Sequence, residues 1–353
     1  MPKPFFQIMQ GETDVTARVG QGNISLTITD GVGENADTIQ FTIDDQNGII
    51  APPETGVEIR VLAGYVDDYR DFGLFTVDSV DLKGWPQEIS VTGQSVGAKT
   101  AAKEKRKASY KKDEFPTYGK VFETLAGRNS LSLTMANDLK SKALKFEAQS
   151  EESDLAFATR LGKKIGASVT VKNKNLVVVS RGAGKSASGQ RLPVIYVIGD
   201  VNVKSYTVSL KDKPKHKTVK ATWFDRDEAK TKELEEESFG EGPVFLLREP
   251  FPSEEDAKEA AKAKAEDLKR GIGTASFEID GNPYAMAEAD VEAYGIRSLV
   301  DGTWRAQTVT HTFSGSAAYS VTVACESPEA GPTSTQPKLP ALSTVPIPTP
   351  RPG

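Results

Sequence analysis

One cysteine and two histidines in 353 residues leave little material for the commonest chemistries. A disulfide within the chain needs two cysteines and a thiolate metal cluster needs more, so the single Cys325 excludes both. Nucleophilic and acid–base catalysis lean most often on histidine, and neither a catalytic triad nor a zinc set matches the spacing found here. His216 stands in the basic run "KDKPKHK" and His311 between two threonines, so each reads as a surface or sheet-packed residue. No run approaches the roughly 20 apolar residues of a membrane-spanning helix. Residues 1–10 lack the apolar stretch of a secretory leader, so no signal sequence is expected. Positive charge is not in surplus either. The formal net charge is −5, whereas a groove for nucleic acid calls for a basic excess.

What the sequence has in quantity is strand pattern. "ISLTITD" (24–30), "DTIQFTIDD" (37–45) and "GVEIRVLAGYV" (56–66) alternate apolar and polar residues. "GLFTVDSVDLKG" (73–84) and "QEISVTGQSV" (87–96) follow, with glycine and proline between them. Such spacing predicts an all-β barrel or sandwich over residues 1–98. Ile39, Phe41 and Ile43 share one face, as do Val57, Ile59 and Val61.

Residues 99–114, "KTAAKEKRKASYKKDE", read as a basic, weakly structured connector. An α+β insert is expected over 115–192. Its first helix has Thr117 as cap, Val121, Phe122, Leu125 and Ala126 as its apolar face, and Gly127 as stop. Strands are expected at 130–135 and 143–150. Ser150 then caps a second helix, with Glu151, Glu152 and Asp154 in its first turn and Lys163 and Lys164 in its last. Leu155, Ala158, Leu161 and Ile165, with Phe157 beside them, mark its buried stripe, and Gly166 is its stop. A hairpin follows, turning at residues 173–175.

From residue 193 to 329 strand pattern returns, at 194–199, 203–212, 217–225, 274–280, 289–295, 303–313 and 318–326. A strongly charged patch, 226–238, interrupts it. One helix is expected over 253–270, capped by Ser253 with Asp256 three residues on, and lined by Ala257, Ala260, Ala261, Ala265 and Leu268. "SGSA" (314–317) suits a hairpin turn. Residues 330–353 are rich in Pro, Ser and Thr and favour extended, polyproline-like conformations.

Several chemical signals dissolve on inspection. "GAGKS" (182–186) lacks the phosphate loop's earlier glycine, Val179 standing there, and a polar loop follows it instead of a helix. Adjacent acids such as Asp44–Asp45 and Asp67–Asp68 carry no cleft geometry. The basic run 99–112 reads first as a solvated linker, with contact to an acidic surface or to passing nucleic acid as the other reading. Trp85, Trp223 and Trp304 fall in strands or at strand ends, where core or interface packing is the default. No catalytic, cofactor or metal residue is assigned, and no motif marks an interface.

Three separated stretches carry a family resemblance. "ESDLAFATRLGKKIGASV" (152–169) resembles the most characteristic segment of the phage late control D family. Residues 254–326 are similar to that family's C-terminal pattern: an alanine-rich helix, then "DGTWR", "VTHTFSGS" and an aromatic-containing last strand. "FTVDSVDLKGWPQEISVTGQSVG" (75–97) resembles its segment ending in Gly-Gln-Ser. The resemblance runs in order from about residue 20 to 326. It implies a baseplate hub of a contractile tail, similar to the hub of large myophages and to the hub part of type VI secretion spike proteins. The implied fold is β-rich α+β: two tail-tube-like β-barrel domains with an inserted α+β domain, assembling as a trimeric ring. The implied task is adaptation of a sixfold tail tube to a threefold central spike, closing the tube end, with no reaction and no cofactor. Implied partners are two further copies of the chain, the tube and spike proteins, and baseplate wedge and tape-measure proteins. The implied location is the virion tail baseplate, or that of a tail-like particle, assembled in the host cytoplasm. Residues 330–353 lie outside the resemblance and are either a docking arm or a disordered end. The competing expectations are a receptor- or carbohydrate-binding tail module and a tail-associated cell-wall hydrolase.

Overall fold

The computed structural model describes residues 2–327, apart from 33–36, 97–103, 182–183, 187–188, 211–215, 226–227, 240–241, 249, 252, 270–272 and 316. The Pro-rich segment 330–353, the first five residues of the expected connector (99–103) and the helix stop at Gly271 lie outside the described residues. The first region holds β1 (Pro4–Gln10), β2 (Thr13–Asp14), α1 (Val15–Val19), β3 (Ile24–Gly31), β4 (Thr38–Asp44), β5 (Glu58–Tyr65), β6 (Asp68–Lys83) and β7 (Glu88–Ser95). The middle region holds β8 (Lys105–Lys111), α2 (Tyr118–Arg128), β9 (Ser132–Met135), α3 (Asn137–Lys140), β10 (Phe146–Ser153), α4 (Asp154–Lys164), β11 (Ala167–Lys172) and β12 (Asn175–Ser180). The last region holds β13 (Ile195–Ile198), β14 (Val203–Leu210), β15 (His216–Asp225), β16 (Lys230–Phe239), β17 (Phe245–Leu246), α5 (Glu254–Lys269), β18 (Gly273–Asp280), β19 (Asp290–Tyr294), β20 (Gly302–Ser314) and β21 (Ala318–Glu326).

The first and last regions share one 13-stranded sheet. Its path runs β14-β18-β21-β20-β3-β4-β7-β6-β5-β1-β2, with β19 on β20 and β13 on β19. The junction is the antiparallel pair β20–β3, in which His311 lies opposite Ile28 and Phe313 opposite Leu26. The two β-rich regions therefore share a continuous hydrogen-bonded sheet and one contiguous apolar core. Phe6, Phe41, Phe75, Phe277, Phe313 and Trp304 belong to that core and are all fully or almost fully buried. The alternation read from the sequence sets this up: Ile39, Phe41 and Ile43 face the core, as do Ile59 and Val61.

The middle region is a helix-and-sheet unit with a core of its own. β11 and β12 form the hairpin, and β9 adds to β12 in parallel. α4 buries Leu155, Phe157, Ala158 and Leu161, as its periodicity predicts. Its start differs. Strand β10 continues to Ser153, whose hydroxyl caps the helix at the Ala156 N–H, so Ser150 and Glu151–Glu152 belong to the strand. Pairing with β8 overrides the earlier serine. Gly166, at φ +73°, is the stop. In α2, Gly127 lies inside the helix and Asn129 is the C-cap.

Two further expectations are corrected. The described part of the supposed connector is mostly β8, antiparallel to β10 and anchored by buried Tyr110. The charged patch 226–238 is in its described part mostly β16, paired along its length with β15. β15, β16 and β17 form a separate three-stranded sheet covered by α5. Its core is small: Val219, Ala221 and Trp223 meet Ala257, Ala261 and Ala265, one stripe at helical spacing.

Candidate functional site: a buried polar junction

Lys172, the last residue of β11, carries its ammonium out of the insert and into the sheet. Its Nζ lies 2.5 Å from Asp30 Oδ1 and 3.3 Å from Asp37 Oδ2. Asp30 is the penultimate residue of β3, and its other oxygen accepts the Ala287 N–H at 3.2 Å. Asp37 precedes β4 and accepts the Gly31 N–H at 3.4 Å. Arg70 of β6 reaches the carbonyls of Pro283 and Ala285 at 3.5 and 3.4 Å, with its guanidinium 4.4 Å over Phe72. One cluster thus ties the first region, the insert and the last region together.

The charges set the protonation states. Burial opposes ionisation of Asp30, but Lys172, Arg70 and the Ala287 amide together hold it below the usual carboxylate range. Burial, and then the charge of Asp30, push Asp37 up to about 7. Burial also works against the Lys172 ammonium, yet the two carboxylates raise its pKa above the usual lysine value. The cluster behaves as a half-buried cation shared by two acids, only one of which ionises readily.

The turn after Lys172 docks beside it. Asn173 and Lys174 both have positive φ, 49° and 59°, as a two-residue type I′ turn requires. Asn173 Oδ1 accepts the Leu74 N–H at 2.9 Å, and the Lys174 N–H donates to the Val96 carbonyl at 3.2 Å. Gly73, at φ +92°, lies against the Asn173 side chain, where a Cβ has no room. Lys174 pairs with Glu58 at 2.9 Å, and Ser168 donates to Glu288 at 2.7 Å.

His311 belongs to the same neighbourhood. It is buried, as a sheet-packed residue should be, and its Nε2 lies 3.2 Å from the Ala285 carbonyl. A carbonyl only accepts, so Nε2 carries the proton and Nδ1 accepts from the Tyr319 hydroxyl at 2.8 Å. Burial, then Arg70, lower its pKa to about 3. His216 is placed elsewhere, with Nδ1 3.1 Å from the Pro243 carbonyl and its ring edge-on to Phe245. The described part of "GAGKS" closes on itself, Ser186 N–H to Gln190 O at 2.7 Å and Leu192 N–H to Gly184 O at 2.8 Å, and a strand follows. Burial raises the Cys325 thiol well above its usual pKa.

A second buried node lies inside the insert. Asp154 accepts from Arg128 at 3.1 Å, Asn129 at 2.8 Å and Gln149 at 2.9 Å, and Gln149 in turn accepts from Tyr110. Both nodes are held by mutual hydrogen bonds and ion pairs, an arrangement that fixes one element on another. Among the described residues no group of three or more His, Cys, Asp or Glu side chains is placed to hold a metal ion. The tryptophans divide. Trp304 and Trp223 are core residues, while Trp85 is 84% exposed at the tip of the β6–β7 hairpin, near exposed Leu82. The junction itself was missed by sequence reasoning, because Lys172 continues a regular alternation and its acids stand over 130 residues earlier.

No family model matches the chain. Two curated relatives align along most of it. A probable baseplate hub protein of Escherichia phage 186 is 28% identical, with 89% of this chain and 90% of that protein covered. The probable baseplate hub protein of Escherichia phage P2 is 26% identical over the same shares. Among solved structures, a tail protein from Neisseria meningitidis superposes with a TM-score of 0.69 at 12% identity, covering 94% of this chain and all of that one. An E. coli component of the type VI secretion system, described as similar to T4 bacteriophage tail proteins, gives 0.54 at 12% identity, with 90% and 76% covered. The chain is thus related in sequence to phage baseplate hub proteins and shares the fold of tail proteins, as its resemblance implies.

Proposed function

We propose that this chain is a hub subunit of a contractile-tail baseplate, acting by shape and not by reaction. The observation that carries the reading is the alignment with two baseplate hub proteins across about nine tenths of both partners. In this reading three copies form a ring. Residues 1–98 and 193–329 act as two tail-tube-like barrel domains per subunit, so three subunits offer a pseudo-sixfold surface to the tube and a threefold one to a separate spike protein. The β3–β20 pairing supports this, because it joins the two halves as one stiff block able to transmit force between tube and spike. The insert, bolted on through Lys172, is a peripheral domain facing wedge proteins, and residues 330–353 are a docking arm. Tape-measure contact, a baseplate location and assembly in the host cytoplasm follow from the same reading.

Light scattering on the purified chain, with and without the candidate spike protein, tests it. A trimer, or a monomer driven to a trimer by the spike, supports the hub. A chain that stays monomeric with both spike and tube present overturns it.

A further inference from the structure

Two strand edges carry opposite charge. Among the described residues β8 is bonded only to β10, and β16 only to β15. On β8, Lys105, Lys107 and Lys111 are exposed on the face opposite buried Tyr110. On β16, Glu233, Glu235 and Glu237 are exposed at every second position, as Lys105, Lys107, Ser109 and Lys111 are on β8, while Leu234 on the other face packs toward α5. Glu151 pairs with Lys107 at 2.7 Å, and Lys220 pairs with Glu233 at 2.5 Å and lies 3.9 Å from Glu235. Each edge therefore has one of its three charges offset and keeps a surplus of the same size and opposite sign.

An open edge is a template for another strand, and like charge along it repels a second copy of the same edge. Here that protection is one-sided: β8 repels β8 and β16 repels β16, but β8 attracts β16. We propose that β8 of one copy pairs with β16 of the next, a head-to-tail contact between copies of this chain. The proposal rests on the ring reading above and names the contact that would build the ring. A contact between unlike surfaces closes into a ring when its rotation permits. Opposite charges facing across paired strands favour the pairing, and like charges oppose it. Charge also selects against the twofold dimers that either edge would make alone.

The test is charge reversal in the full chain, read as mass by light scattering, with circular dichroism to confirm folding. K105E/K107E/K111E and E233K/E235K/E237K each weaken self-association more than tenfold, and the combined six-site variant, with the edges exchanged in sign, regains the wild-type mass. Wild-type association also weakens as salt rises from about 0.1 M to about 1 M, because the screening length falls from ~10 Å to ~3 Å. Folded single-edge variants that keep the wild-type mass overturn the proposal and leave the ring reading standing. So does a folded six-site variant that stays dissociated. A wild-type chain monomeric under every condition overturns both.

Discussion

The main sheet and the small unit of β15–β17 with α5 solve the same packing problem with opposite materials. The main core uses the largest side chains available, with Trp304, Phe277 and Phe313 fully buried. The small unit lines its helix with alanine: Ala257, Ala261 and Ala265 let it lie close against Val219, Ala221 and the one large side chain of this core, Trp223. Large side chains bury much apolar surface and leave large voids when cut back. Small ones bury little, and their failure is intrusion instead of vacancy. The first core should therefore set the stability of the chain, and the second should open on its own.

The largest test is Trp304→Ala, which leaves a cavity and an unpartnered Val300 carbonyl. It should cost about 3–5 kcal/mol and lower the main transition in calorimetry. A loss confined to a minor early transition would invert the comparison. Next, Lys172→Met leaves Asp30 and Asp37 without their cation. Breaking a fully buried pair costs about 3–5 kcal/mol; Asp30 is buried but Lys172 is a third exposed, so the loss here should fall below that range. If the junction makes insert and sheet one cooperative unit, the main transition falls without splitting; a split would place the insert with the small unit.

The pH profile sharpens the large side further. His311 has a folded pKa of about 3 against 6.5 unfolded, so the unfolded chain binds the proton first. Its contribution is complete above pH 6.5 and is lost as pH falls toward 3, at about 1.4 kcal/mol per pH unit. Asp37 acts in the other direction. Its folded pKa is about 7 against 3.8, so the folded state holds the proton, and stability declines as pH rises from about 4 to 7. Between pH 4 and 6.5 the two slopes oppose. Asp37→Asn should expose a stability that climbs with pH, and His311→Phe one that falls, in urea titrations across that window. Identical profiles in both variants would refute the assignment.

In the small unit, Ala261→Leu should cost about 1–3 kcal/mol by overpacking, seen as faster hydrogen exchange confined to residues 216–269. Smallest is Ser253→Ala. Ser253 Oγ accepts the Asp256 N–H, and losing such a cap costs about 1 kcal/mol, again within that unit. Exchange spreading into β20 or β21 in either variant would show that the two cores unfold together.

The same contrast explains what could be read in advance. Strands of the main sheet announce themselves because Ile39, Phe41 and Ile43 alternate with polar residues. β16 does not, because its inward positions include Lys232 and Glu236, and only Leu234 signals a core. β8 hides likewise: its exposed lysines read as a linker, and Tyr110 alone marks the buried face. The helix α4 is legible to its stop at Gly166 but not at its start, since Ser150 and Ser153 are equal as caps until β8 claims the first. The joining of the two β-rich regions has no local signature. Nor has the junction, whose lysine is ordinary by position and exceptional only through acids brought to it by the fold. Trp85, expected in a core or an interface, lies outside the core of the chain, exposed at the hairpin tip, which leaves the interface half of that expectation.

The β3–β20 pair also bears on how the chain is made. β3 ends at Gly31 and its partner begins at Gly302, so roughly 270 residues must be translated before that edge is covered. At synthesis rates of about 5–20 residues per second, the β3 edge leaves the ribosome and waits some tens of seconds for its neighbour. Until then Leu26 and Ile28 lack their cover from the last region, and a chaperone that shields this edge would raise the yield of soluble chain more than one acting after release.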